Sequence, residues 1–186
     1  MQIDAQQFLG YVEATKKICM YDIEATGLRG DYNSVLCVSI KPYDEPPVTF
    51  TIKQPGNDKK LVREAKEYLD QFDCWVGYYS KGFDKPMLNT RLLKWGMTPL
   101  PSKHHIDVYY QLKYNLLTAR RSQGHLLSWL GTPEQKMSVG ADVWNDILYK
   151  TEETMKQMVD RCESDVAGLE GLYKRTRHLY KDIRRD

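Results

Sequence analysis

The sequence predicts an α/β fold: one mixed β-sheet, with three antiparallel strands followed by parallel strands, flanked by helices. Three observations carry this expectation. Three β-type runs follow one another between residues 17 and 53, joined by connections too short for a crossover helix, so they must form an antiparallel meander. From residue 58 onward helical and strand-like patterns alternate, which adds strands with helices on the faces of the sheet. The chain's 186 residues are 41% hydrophobic and show no internal repeat, low-complexity tract or linker. That predicts a single domain, 1–186, with a substantial core.

Taken in order, residues 2–15 read as a short amphipathic helix, Phe8, Leu9 and Val12 sharing one side, so that 1–16 forms an N-terminal helical segment. The three strands are 17–23, 34–40 and 48–53. Gly27, Gly30, Asp31 and Asn33 mark the first turn, and Pro46–Pro47 the second. A charged helix over 58–71 carries an apolar stripe of Leu61, Ala65, Tyr68 and Leu69. A fourth strand is expected at 73–79, then a helix from 84 to 95 with Pro86 in its first turn. A short strand at 105–108 leads into a helix bearing Tyr109, Leu112 and Leu116. Another helix at 123–130 is closed by Gly131 and Pro133. A long final helix runs from 151 to 183, its end (174–186) strongly basic.

Composition narrows the function classes less than the pattern does. The 27 basic and 25 acidic residues nearly balance, so overall charge does not announce nucleic-acid binding. Basic groups do occur at Lys59, Lys60 and Arg63, at Arg120 and Arg121, and between Lys174 and Arg185, each readable as an ordinary solvated surface. None of the four cysteines (Cys19, Cys37, Cys74, Cys162) is spaced as CxxC, and three lie in strand-like apolar runs. They read as reduced core thiols rather than a zinc site or disulfide framework. The first apolar stretch is broken by Glu13, Lys16 and Lys17, and no window approaches the ~18 apolar residues of a membrane span. A soluble, cytoplasmic protein is expected.

The chemistry is concentrated in Tyr21-Asp22-Ile23-Glu24-Ala25-Thr26-Gly27-Leu28. Residues two apart on a strand project to the same face, so Asp22 and Glu24 stand together. Two carboxylates that close repel, and a cation between them relieves the repulsion. An oxygen-only pair suits Mg²⁺ or Mn²⁺ better than zinc. A lone D-x-E on a strand is a weak signal, often no more than a solvated face. Here Met20, Tyr21 and Ile23 make the strand otherwise apolar, and Thr26-Gly27 then turns it.

That segment resembles the first motif of the DEDD family of 3′–5′ exonucleases, which are ribonuclease-H-like: a hydrophobic strand ending in D-x-E-T/A-T-G-L. The family's second motif, V-G-H-N-x-x-x-F-D, resembles Val76-Gly77-Tyr78-Tyr79-Ser80-Lys81-Gly82-Phe83-Asp84, with Pro86, Met87, Leu88 and Arg91 fitting the helix that follows. The late aspartate is matched by Asp165-Val166, with Leu169 and Leu172 continuing the pattern. The segment from His105 to Trp129 is similar to the middle of these domains. The likeness spans roughly residues 17–175, in a compact exonuclease domain with no polymerase attached.

The resemblance implies a two-metal-ion 3′–5′ exonuclease that hydrolyses single-stranded DNA or RNA ends. Asp22 would bridge two divalent cations, Mg²⁺ or Mn²⁺, with Glu24 and Asp165 on one and Asp84 assisting through water. Thr26, Gly27 and Leu28 would receive the terminal nucleotide. Tyr79 and Phe83, and also Tyr78, would offer stacking faces, and Lys81 and Lys85 phosphate contacts; core packing and plain solvation are the competing readings of these residues. Two departures stand out. Where the family has a Tyr four residues, or a His five residues, before the last Asp, this chain has Arg161 and Asp160. The usual Asn of the second motif is Tyr79. The general base is therefore unassigned: His105 or His125 would have to reach in, metal-bound hydroxide would have to suffice, or catalysis is weak. Two alternatives stay open: a structure-selective endonuclease of the same fold, and a nucleic-acid- or protein-binding module in a replication or repair assembly. DNA or RNA preference and oligomeric state have no motif that reports them.

Overall fold

A computed structural model describes residues 4–54, 56–134, 137, 152–181 and 183. Strand β1 (Ile18–Ala25) pairs antiparallel with β2 (Val35–Pro42), which pairs antiparallel with β3 (Val48–Thr51). On its other side β1 runs parallel to β4 (Cys74–Gly77), and β4 runs parallel to β5 (His104–Asp107). The order is β3-β2-β1-β4-β5, the expected mixed sheet. The strand order reverses at β1: the chain leaves it toward β2 and returns on the opposite side as β4. In open α/β sheets the loops beyond such a switch point diverge and leave a crevice.

The helices follow the apolar stripes. In α2 (Lys59–Leu69) the residues Leu61, Val62, Ala65 and Leu69 are buried. Its basic residues face outward, Lys60 at 3.6 Å from Glu64 and Arg63 at 3.9 Å from Glu67, which makes this group a solvated helix surface. Between β4 and β5 lies α3 (Asp84–Lys94); after β5 come α4 (Val108–Lys113) and α5 (Gln123–Leu130). The N-terminal helix α1 (Ala5–Ala14) is capped by Asp4, whose side chain accepts from the Gln6 and Gln7 amides. Alternation along β1 divides the core. Tyr21, Ile23 and Ala25 pack with the α2–α3 side, Ile18 and Met20 with α1, α5 and the last helix.

That last helix, α6 (Glu152–Thr176), buries Thr154, Met158, Cys162, Val166, Leu169, Tyr173 and Thr176, a three-to-four-residue rhythm laid against β1 and β2. At Gly168 a side-chain carbon would stand 2.8 Å from Leu127 Cδ1, so glycine lets α5 approach α6 closely. The helix ends at Thr176, short of the expected 183, and a 3₁₀ turn, Arg177–Leu179, follows. The turn brings Tyr180 inward, fully buried 5.9 Å from the Tyr173 ring, with its hydroxyl 2.7 Å from Thr176 Oγ1. Seven residues after Tyr173 and four after Thr176, Tyr180 keeps the helical rhythm of burial although the α-helix itself has ended. Lys174 pairs with Asp44 and Glu170, and Arg177 with Glu13, so acids neutralise these cations of the tail. The tail's remaining positions at 182 and 184–186 lie outside the described residues. All four cysteines are free and buried, and among the described residues no helix is long and apolar enough to cross a membrane.

Candidate active site

The site grows from the C-terminal end of β1. Asp22 lies opposite Ser39 and Glu24 opposite Cys37, on one face of the strand. Past Glu24 the register with β2 shifts, so that Ala25 meets Val35. Such an irregularity bends a strand end and re-aims its side chains. Across from this face, α6 brings Asp165, and one carboxylate oxygen each from Asp22, Glu24 and Asp165 lie within 4.8 Å of one another. Three hard oxygen donors with no nitrogen or sulfur among them fit Mg²⁺ or Mn²⁺. Cys162, three residues before Asp165, lies 3.4 Å from the Asp22 carbonyl and 3.6 Å from its Oδ2. Burial pushes this thiol's pKa up, so it remains a protonated donor to Asp22.

Asp84 stands at the same end of the sheet but outside that trio. It opens α3 and accepts a hydrogen bond from the Ile23 amide at 3.1 Å, the residue between Asp22 and Glu24. Burial pushes its pKa up to about 7; nearby Asp107 and Glu24 act in the same direction, against the Ile23 amide and its own.

A cleft of about 410 Å³ opens beside these acids, with Asp22 and Asp84 in its lining and Leu28, Arg29, Tyr78, Tyr79 and Phe83 around them. Of the expected substrate contacts, Leu28, Tyr78, Tyr79 and Phe83 thus come together. Leu28 is 80% exposed despite being apolar. Thr26, Gly27 and Lys81 do not line this cleft. Thr26 Oγ1 instead accepts from the Ser34 amide at 3.1 Å, Gly27 lies against Asn33, and the Lys81 amide donates to Asp107 Oδ2 at 2.9 Å. These contacts shape the loops that carry the lining residues.

Asp107 is the positioning residue that the sequence pattern left unassigned. Besides Lys81, it accepts from the amides of Tyr79 at 2.9 Å and Tyr109 at 3.1 Å, so one carboxylate caps α4 and pins the loop after β4. Burial raises its pKa, opposed by the Lys81 and Tyr79 amides, by His105 and by the Tyr110 amide. Its signal was an aspartate between an apolar strand and a helix, an N-cap pattern. The loop holds Tyr79 at φ 58, in the left-handed region, where asparagine is at ease and a tyrosine costs about 1–2 kcal/mol. The Tyr79 ring packs against Tyr109 at 5.3 Å and Tyr110 at 6.0 Å. The ring lies over Gly82, where a Cβ would meet Tyr79 Cζ at 2.6 Å.

His105 does not take the missing base's place by the contacts it makes. His105 is buried, its Nε2 at 2.9 Å from Ser80 Oγ and 3.2 Å from the Tyr21 hydroxyl, a core role. His125 lies in the first turn of α5, where its amide donates to Ser122 Oγ at 3.4 Å. Arg161, four residues before Asp165, shares its helix face, and Nε sits 2.5 Å from Glu24 Oε1. Asp160 falls about 140° around the helix from Asp165.

The sequence matches the family model of the RNase H superfamily over residues 19–177, from β1 through the end of α6. No curated protein matches it. Among solved structures the fold is similar to the family B DNA polymerase from the hyperthermophilic archaeon Pyrobaculum calidifontis, with a TM-score of 0.67 and 19% identity. The match covers 86% of this chain and 24% of the polymerase chain, so this chain spans about a quarter of that protein. At such identity the likeness is one of fold. The mixed sheet, the convergence of acids from β1 and α6, and a family match over most of the length agree, and the chain belongs to the RNase H superfamily.

Proposed function

We propose that this protein is a divalent-metal-dependent nuclease that removes nucleotides from the 3′ ends of single-stranded DNA or RNA. The observation that carries the reading is the convergence of Asp22, Glu24 and Asp165 within 4.8 Å, beside a cleft that Asp22 shares with Asp84. These four residues would hold two Mg²⁺ or Mn²⁺ ions. Bound there, such ions supply an activated water and stabilise the leaving 3′ oxygen of a phosphodiester.

The chain's own residues bind and orient. Leu28, exposed at the cleft, is a wedge against the terminal base, and Tyr79 and Phe83 are stacking faces for a single strand. Asp107 holds the Tyr79 loop, and Cys162 orients Asp22. Arginine cannot accept a proton near neutral pH, so Arg161 does not take the role that Tyr or His plays in the resembling exonucleases. That substitution also favours a second reading, a nucleic-acid-binding module that retains its acids, in a replication or repair assembly.

Cleavage of 5′-labelled single-stranded DNA and RNA with Mg²⁺, Mn²⁺ or EDTA, for wild type and Asp22→Ala, separates these readings. A descending ladder that needs both metal and Asp22 is expected. Cutting of a circular single strand would show an endonuclease instead. Absence of any cleavage with metal binding intact would leave the binding module.

A further inference from the structure

Arg161 is a charged group at this site for which the exonuclease reading has no use. Four residues before Asp165, it faces β1, its Nε 2.5 Å from Glu24 Oε1. The two side chains are only 19% and 8% exposed. Burial opposes the guanidinium's charge, but Glu24, Asp165 and Asp22 all stabilise it, so all three acids of the trio act on this one cation. The helix cannot rotate it away, because Cys162, Val166 and Leu169 fix α6 in the core. Its own side chain, with several free torsions, is the part able to move.

A carboxylate oxygen in a 2.5 Å ion pair is not at full strength for a divalent ion, which needs that oxygen at about 2.0–2.1 Å in the case of Mg²⁺. A guanidinium released beside a nuclease centre has a natural acceptor, since its planar fork matches the oxygens of a phosphate. Resting on the metal-centre reading above, we propose that Arg161 is a built-in counter-cation: it competes with a divalent ion for Glu24 in the strand-free protein, and transfers to a phosphate of the bound strand when the ion takes Glu24. Metal and single strand then bind with positive coupling, each relieving the other's cost.

The test is Mn²⁺ binding by calorimetry, with and without a phosphorothioate-linked oligothymidylate that resists cleavage, for wild type, Arg161→Gln and Arg161→Lys, with Asp22→Asn as control. Circular dichroism establishes that each variant is folded. Arg161→Gln is expected to bind Mn²⁺ about tenfold tighter without the strand and to lose most of the strand's enhancement. Arg161→Lys keeps the charge and should keep most of the coupling. Unchanged or weaker Mn²⁺ binding by folded Arg161→Gln, with Asp22-dependent binding in wild type, overturns the role of Arg161 and leaves the metal centre standing. Failure of every protein to bind Mn²⁺ in a way that Asp22→Asn abolishes overturns both.

Discussion

Two arginine–carboxylate pairs in this molecule have similar contacts and opposite surroundings. Arg91 meets Asp58 through two bonds, Nε to Oδ2 at 2.8 Å and Nη2 to Oδ1 at 2.9 Å, with both side chains essentially buried. Neutral groups complete it: the Val35 amide and Trp95 Nε1 donate to Asp58, and Arg91 Nη1 donates to the Gly30 carbonyl. One charge of each sign sits in a cage that binds β2, α2, α3 and the loop after β1 together. Arg161 Nε meets Glu24 Oε1 at 2.5 Å, and Asp165 and Asp22 act on the same guanidinium. The first pair is a balanced structural clamp. At the second, Glu24, Asp165 and Asp22 all act on one guanidinium, a cluster of acids that a divalent ion would also stabilise. Similar ion pairs thus serve rigidity in one place and exchange in the other, according to the charge around them.

The largest expected effect breaks the clamp. Arg91→Ala strands Asp58 in the core and should cost about 3–5 kcal/mol in urea unfolding. Mn²⁺ should restore none of that loss, because no metal ligand is involved; restoration would mean that the two pairs are energetically one network. Arg161→Gln should destabilise the metal-free protein less, by about 1.5–3 kcal/mol, the range for a hydrogen bond to a charged group. Here Mn²⁺ should restore the stability, and a deficit that persists at saturating Mn²⁺ would make Arg161 a second structural clamp. Arg91→Lys keeps the charge but loses the planar fork, and a cost of about 2 kcal/mol is expected from the same unfolding measurement. The smallest change is at Tyr79. Tyr79→Asn relieves left-handed strain but loses two aromatic contacts, so stability should move by less than about 1 kcal/mol. Single-strand affinity should nonetheless fall roughly tenfold if the ring stacks on a base, which filter binding at fixed salt would read.

Local pattern made much of this legible. Three short-linked β-runs required the antiparallel half of the sheet, and the apolar stripe of α2 appeared where Leu61, Ala65 and Leu69 indicated it. Asp22 and Glu24 share a face because a strand has a period of two, which no tertiary contact alters. Boundaries were less legible. The end of α6 was hidden because Tyr180, seven residues after Tyr173, continues the buried rhythm past the last helical turn, so periodicity alone does not mark the stop. Thr26 Oγ1 and the Lys81 amide make contacts that shape the loops beside the cleft, which adjacency in a motif does not announce.

The sequence by itself determined the mixed fold, the three segments carrying Asp22 and Glu24, Asp84, and Asp165, and the oxygen-only chemistry of that set. These depend on residue type and short-range spacing. Only the tertiary structure decided that Asp165 joins Asp22 and Glu24 while Asp84 stands beside them, that Asp107 holds the Tyr79 loop, that Asp58 and Arg91 clamp the core, and that Arg161 reaches Glu24. Each of these pairs residues from separate elements, 137 positions apart for Arg161 and Glu24. Which distant residues meet is set by how whole faces pack, a property of the assembled layers rather than of any one segment.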